Sequence, residues 1–190
     1  MSTIVGVDGV ARCAWAGHDP LMVAYHDTEW GRVTPDEQHL FEKICLEGFQ
    51  AGLSWQVVLK KRDRFRQMYH AFDPERIASF TVDDVTLRTT DPQMIRQRAK
   101  HEAVVTNARA YLRMRDSGVN LYDIVYASHD PARPRPTCAA KIPAATDASR
   151  ALAKRLKQAG FVFVGPVTMY ALMQAVGVVN DHLGDCATSV

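Results

Sequence analysis

The 190-residue chain carries 23 Lys and Arg against 21 Asp and Glu, a formal net charge of +2, with 47% hydrophobic and 23% charged residues. This is the composition of a soluble globular domain, and no apolar run approaches the ~20 residues that span a bilayer, so no membrane partner is expected. So small a net charge does not demand a polyanionic partner; local clustering has to decide.

The first ten residues lack the basic start and apolar run of a secretory signal, which points to the cytoplasm and to reduced cysteines. Cys13 and His26 follow, with His182 and Cys186 at the far end of the chain. Two cysteines and two histidines suit tetrahedral zinc. His182-x-x-x-Cys186 has the spacing of a chelating half-site, whereas Cys13 and His26 need the fold to bring them together. Four protein ligands leave no open position, so such a metal would be structural. Exposed cysteines and unrelated histidines are the alternative. Cys45, on the apolar side of a helix, reads as core, and Cys138 lies in a proline-rich loop.

Thr34-Pro35-Asp36-Glu37 has the pattern of a capping box and predicts a helix from Pro35. Leu40, Ile44, Gly48 and Ala51 share one stripe of that helix, and Glu47 falls on it within about 20°. A carboxylate aimed at the interior has to be hydrogen-bonded, paired, or raised in pKa, and such groups concentrate in functional sites. A structural ion pair is the alternative. Gly48 and Gly52 allow close approach or a positive φ, Leu53 stands at the turn, and Ser54 caps a second helix from Trp55 to His70. Trp55 beside Glu47 would suit a flat ligand with polar edges, though most tryptophans are core residues. Lys60, Lys61, Arg62, Arg64 and Arg66 make this helix basic, which alone reads as a solvated face.

Asp73-Pro74-Glu75 predicts a short helix, and Thr81 with Asp84 a second one fading near Thr90. A long helix is expected from Asp91-Pro92 to Ser117-Gly118, with Arg96, Arg98 and Lys100 at its start placed to hold phosphate oxygens. Residues 128–143 read as an irregular connection, followed by an amphipathic helix over 146–159 closed by Gly160. Phe161-Val162-Phe163-Val164 is a short apolar run of ambiguous type, and Gly165-Pro166 opens a last apolar helix ended by Gly177. The fold class is all-α, with no internal repeat.

Taken together, Arg12-Cys13-Ala14-Trp15, Asp19-Pro20-Leu21, Tyr25-His26-Asp27-Thr28-Glu29-Trp30-Gly31, Leu46 through Trp55, Asn107-Ala108-Arg109-Ala110-Tyr111-Leu112, Phe163-Val164-Gly165-Pro166 and Val179-Asn180-Asp181-His182 closely resemble the 3-methyladenine DNA glycosylase I family. The resemblance runs from about Arg12 to Cys186. It sets residues 1–11 apart as an N-terminal extension, 12–186 as a single domain of two helical lobes, and 187–190 as a tail. It implies a helix-hairpin-helix glycosylase fold whose termini meet at one structural zinc held by Cys13, His26, His182 and Cys186. It also implies hydrolysis of the N-glycosidic bond of 3-methyladenine in alkylated double-stranded DNA by a monomer that flips the base out, releases it free and does not nick the strand.

Glu47 and Tyr25 would then form hydrogen bonds to the base. Trp15, Met22, Trp30 and Trp55 would line its pocket. Leu53 would fill the gap in the duplex, and Gly52, Arg96, Arg98 and Lys100 would meet the DNA. The chain departs from the family pattern in three places: Met22 stands where relatives can place a tyrosine, Asp91-Pro92-Gln93-Met94 replaces a glycine-containing hairpin, and Lys100-His101 replaces a Lys-Ile pair. A non-catalytic DNA-binding module and a glycosylase for another alkylated base are the alternatives.

Overall fold

In the computed structural model, which describes residues 3–188, the chain opens on a hairpin that the sequence does not announce. Strand β1 (Thr3–Val5) pairs antiparallel with β2 (Ala11–Cys13), in the register Thr3 to Cys13 and Val5 to Ala11. Three-residue strands are too short to show an alternating pattern. The hairpin is tied to the other end of the chain: Ala187 N donates to Ala11 O at 2.8 Å, and Thr3 Oγ1 to Asp185 Oδ2 at 2.8 Å.

Helix α1 (Pro20–Thr28) starts with Pro20 in its first position, and the Asp19 carboxylate caps the amides of Leu21 and Met22. The central helix α2 (Glu37–Gln50) begins two residues later than expected. Asp36, not Thr34, is its cap, accepting from Gln38 N at 2.9 Å and His39 N at 3.2 Å. Glu37 has better partners than the cap: its carboxylate accepts from Tyr111 Oη and from Tyr122 N. Leu40, Phe41, Ile44, Leu46 and Phe49 are all buried, so α2 is covered on nearly every side, as a helix at the centre of a domain must be.

The expected helix from Trp55 to His70 is two, α3 (Trp55–Lys60) and α4 (Arg62–Met68), broken at Lys61 (φ −102°, ψ 0°). The break turns Arg62 toward Glu29 at 2.6 Å, while Arg64 pairs with Asp91 and Arg66 with Glu42. Much of that basic surface is therefore neutralised within the protein. Helices α5 (Pro74–Ala78) and α6 (Val82–Thr90) follow the sequence, and the Thr81–Asp84 capping box is present.

Helix α7 (Arg98–Asp116) starts at Arg98 and not at Asp91. Residues 91–97 form a separate turn in which Asp91 Oδ1 accepts from Gln93 N at 2.7 Å and Lys61 Nζ donates to Gln93 O at 2.9 Å. Helix α6, this turn and α7 make the helix-hairpin-helix. His101 fastens it from below: its ring bonds Tyr69 Oη at 2.6 Å through Nδ1 and Ile95 O at 2.7 Å through Nε2.

Helices α8 (Leu121–Val125), α9 (Asp147–Gln158) and α10 (Pro166–Ala175) complete the body. Residues 161–164 are not a strand; Phe163 adopts φ 56° and approaches α2 where Gly48 leaves room, since a Cβ on Gly48 would sit 3.4 Å from that of Phe163. Among the described residues no helix is long and apolar enough to cross a membrane.

Candidate active site and metal centre

A pocket of about 780 Å³ opens between α1, α2, α3 and α10, and Trp15, Met22, Tyr25, Trp30, Glu47 and Trp55 all line it. Local chemistry brings these elements together. Asp19, while capping α1, also accepts from Gln56 Nε2 at 2.7 Å and pairs with Lys60 at 3.0 Å, which fixes α3 against α1. Tyr25 and Trp55 consequently face each other with ring centroids 5.2 Å apart, and Trp15 and Trp30 meet edge to face at 4.9 Å. Met22 is buried in the wall, an apolar thioether without a hydrogen-bonding group of its own beyond a weak acceptor.

Two polar atoms of this pocket are unpaired. Glu47 Oε2 and Trp55 Nε1 are the buried side-chain polar atoms that lack a hydrogen-bond partner among the described residues. Native interiors satisfy such groups, so two of them lining one cavity call for a ligand or ordered water. Burial pushes the Glu47 carboxyl up to about 8, with Lys43 opposing the rise. Burial, with Glu47 and Glu29 nearby, holds the Tyr25 phenol well above its ordinary value, so it stays protonated.

Lys43, Glu29 and Arg62 form a charged group behind the pocket lining, and reading the sequence missed them. Lys43 is 1% exposed, ion-paired with Glu29, and its Nζ lies 4.8 Å from the Tyr25 ring centroid and 5.7 Å from that of Trp55. Burial pushes Lys43 below its ordinary value while Glu29 opposes the shift. The four-residue spacing of Lys43 and Glu47 on one helix was the available signal.

Beyond the pocket, the turn after α2 projects Leu53, 42% exposed, and Gly52 reaches φ 78°, a conformation that favours glycine. Ser54 occupies the cap position of α3 without a side-chain cap bond. Arg96 is exposed in the 91–97 turn. Arg98 is exposed at the start of α7 but engaged with Glu102 at 2.8 Å and Thr86 at 3.1 Å. Lys100 corrects the expectation of a phosphate contact: it is 3% exposed, and its Nζ donates to Phe49 O at 2.7 Å and Ala51 O at 2.6 Å. It closes the carboxyl end of α2, where free carbonyls attract a cation.

Cys13, His26, His182 and Cys186 are all buried, and their donor atoms lie within 4.8 Å of one another. Cys186 Sγ is 3.5 Å from His26 Nε2 and 3.6 Å from His182 Nδ1, and Cys13 Sγ is 4.0 Å from His182 Nδ1. A tetrahedral ion with ordinary metal–sulfur and metal–nitrogen lengths separates its S and N donors by about 3.6 Å, so this cluster fits a metal. Asp27 Oδ1 meets His26 Nδ1 at 2.8 Å and Trp30 O meets His182 Nε2 at 3.1 Å, which orients both imidazoles. Burial keeps His26 below its ordinary value and takes His182 down to about 4, leaving both rings neutral and able to ligate.

The methyladenine glycosylase family model matches residues 15–189. The chain belongs to that family. It is 48% identical over 177 residues to the DNA-3-methyladenine glycosylase of Haemophilus influenzae, spanning 92% of this chain and 96% of that one. A crystal structure of a 3-methyladenine DNA glycosylase I superposes with a TM-score of 0.90 at 48% identity, covering 93% of this chain and 98% of the other. A Staphylococcus aureus 3-methyladenine DNA glycosylase I, described for its recognition of 3-methyladenine, superposes with a TM-score of 0.87 at 33% identity, covering 93% and 95%. Membership in a methyladenine glycosylase family matches the helix-hairpin-helix and the aromatic pocket around a carboxyl group.

Proposed function

We propose that this chain releases 3-methyladenine from alkylated double-stranded DNA by hydrolysing the N-glycosidic bond, and that Glu47 and Tyr25 are the groups that act on the base. The observation that carries the reading is the pairing of unsatisfied Glu47 Oε2 with unsatisfied Trp55 Nε1 at one aromatic cavity. A flipped purine offers ring faces to Trp55 and the neighbouring aromatics, and its edge offers donors to Glu47 and Tyr25.

Methylation at N3 makes the base cationic while it is still attached to the sugar, so it is a good leaving group. The carboxylate form of Glu47 favours that cation over neutral adenine. As the glycosidic bond breaks, its electrons remain with the base and quench its charge, and water adds at the sugar carbon to leave an abasic site. The pocket lining contains no lysine, so no amine is placed to attack the sugar and cut the strand. Leu53, presented on the Gly52 turn, enters the gap left in the duplex, while Arg96 and Arg98 meet the backbone beside the hairpin. Zinc is the metal that the Cys13, His26, His182 and Cys186 set suits best; closed by four ligands, it would clamp the two chain ends and take no part in the reaction. The protein acts as a monomer in the cytoplasm, where bacterial DNA lies.

A pocket for another methylated purine is the second reading, and Met22 favours it by replacing a polar wall position with an apolar one. A DNA-binding module without activity leaves the unpaired Glu47 unexplained. Chromatography of the bases released from methylated duplex DNA by the wild type and by Glu47→Gln tests all three. Release of 3-methyladenine, reduced at least about tenfold in the variant, is the expected result. Release of a different base supports the second reading, and no release by folded, metal-loaded protein overturns the proposal.

A further inference from the structure

Gln174 lines the pocket from α10. Its amide is held in one orientation. Gln174 Nε2 donates to Asp181 Oδ2 at 2.8 Å, and Asp181 is 1% exposed. The same carboxylate accepts from Tyr170 Oη at 2.7 Å and from Arg133 Nη1 at 2.9 Å. An aspartate surrounded by donors can only accept, so the nitrogen end of the Gln174 amide is the end turned to it, and the carbonyl end is turned away. Among the described residues no hydrogen bond reaches Gln174 Oε1, although the residue lines a cavity.

We propose that Gln174 is a specificity-determining acceptor for the excised base, with Asp181 as its positioning residue, and that it favours purines bearing an amino group at C6 over those bearing a carbonyl at C6. The inference rests on the pocket being the base site proposed above. Its chemistry differs from that of Glu47. A carboxylate rewards positive charge on any base, whether adenine or guanine. A neutral amide oxygen whose direction is fixed rewards an N–H and is left facing a second acceptor when the base presents a carbonyl. Arg133 balances Asp181 at 2.9 Å, so the device adds no net charge to the site. Charge and edge are thus read by separate residues.

The test measures binding of free 3-methyladenine and free 3-methylguanine by quenching of tryptophan fluorescence, together with release of both bases from methylated DNA. Wild type, Glu47→Gln and Gln174→Leu are compared, with Gln174→Ala as a smaller replacement that does not crowd α10. In the Gln174 variants the preference for 3-methyladenine over 3-methylguanine is expected to fall about tenfold, the worth of one hydrogen bond to a fixed acceptor. Glu47→Gln is expected to weaken both bases together. An unchanged ratio in the Gln174 variants, even with both affinities reduced, overturns the assignment as a merely structural effect. A wild-type chain that binds neither base overturns the pocket reading and this inference with it, whereas wild-type binding with an unaltered ratio removes only the role of Gln174.

Discussion

Lys43 sits one helical turn before Glu47 on α2, and its buried ammonium faces the rings of Tyr25 and Trp55 from behind the pocket. Burial lifts Glu47 to about 8 and the cation opposes that rise. The charged groups around Lys43 are Glu29 after α1, Arg62 of α4 and Glu47 of α2, with Arg62 sharing Glu29 at 2.6 Å. This group therefore holds two cations and two acids, and the ionisation of Glu47 depends on the other three.

Replacing Lys43 with Met keeps the volume and removes the charge. Glu47 then ionises at still higher pH, and the step in 3-methyladenine binding that follows the ionisation of Glu47 moves toward alkaline pH by about one pH unit. The pH profile of fluorescence quenching reads this directly. A profile identical to wild type would show that the Glu29–Arg62 pair fixes Glu47 without help. The sign for stability follows from the same group: the unfolded carboxyl ionises near 4.5 and the folded one near 8. Stability from keeping Glu47 protonated is complete below the lower value and is lost as pH rises through the upper one. Glu47→Gln cannot ionise, so its denaturant stability relative to wild type increases from about pH 5 to about pH 9, by at least ~1.4 kcal/mol. A constant difference would place Glu47 in the ionised form throughout.

Elements with local signatures were legible in the sequence and those decided by tertiary partners were not. Thr81 and Asp84 form their capping box because no other group hydrogen-bonds the Asp84 carboxylate, Arg88 approaching it only to 3.7 Å. Thr34 and Glu37 have the same spacing and form none, because Tyr111 and Tyr122 take the Glu37 carboxylate and Asp36 supplies the cap. The spacing also placed Glu47 inward, as found. Lys100 was misread for the reason that a basic residue at a helix start looks free until a neighbouring helix end, here that of α2, claims it. Nothing local announces Gln174 or Glu29, whose roles depend on residues far away in sequence. Cys13 and His26 could be matched with His182 and Cys186 only by a fold that closes one end of the chain on the other.

That closure yields a prediction for the metal. Cys186→Ser, or prolonged chelation, is expected to lower stability by about 4 kcal/mol or more, since loss of a structural metal is among the few changes of that size. Thiol modification of the wild type should release one zinc per chain. The Ala187–Ala11 and Thr3–Asp185 bonds should open first, giving fast amide exchange at Ala187. Full stability without metal would make the cluster a packed Cys/His core.

Lys100→Met removes the donor to the Phe49 and Ala51 carbonyls and is expected to cost about 2 kcal/mol, because charged hydrogen bonds at a buried helix end are lost. Its effect on the salt dependence of DNA binding should be negligible. Arg96→Ala should do the reverse, leaving denaturant stability within about 0.5 kcal/mol and reducing the slope of log affinity against log salt by about 1. If Lys100→Met alters the salt slope as Arg96→Ala does, the ammonium leaves α2 to reach phosphate.

Leu53 separates extrusion of the base from its recognition. At 42% exposure on a turn it has little packing to lose, so Leu53→Ala should change stability by less than about 0.5 kcal/mol. It lies outside the pocket lining, so the affinity for free 3-methyladenine should also be unchanged. Release from duplex DNA should nevertheless fall about tenfold or more, because nothing then occupies the stack after the base leaves and the flipped state loses a few kcal/mol of support. On single-stranded methylated DNA, where no stack has to be held open, the variant should match wild type. Equal losses on both substrates would assign Leu53 to general DNA binding and not to the gap.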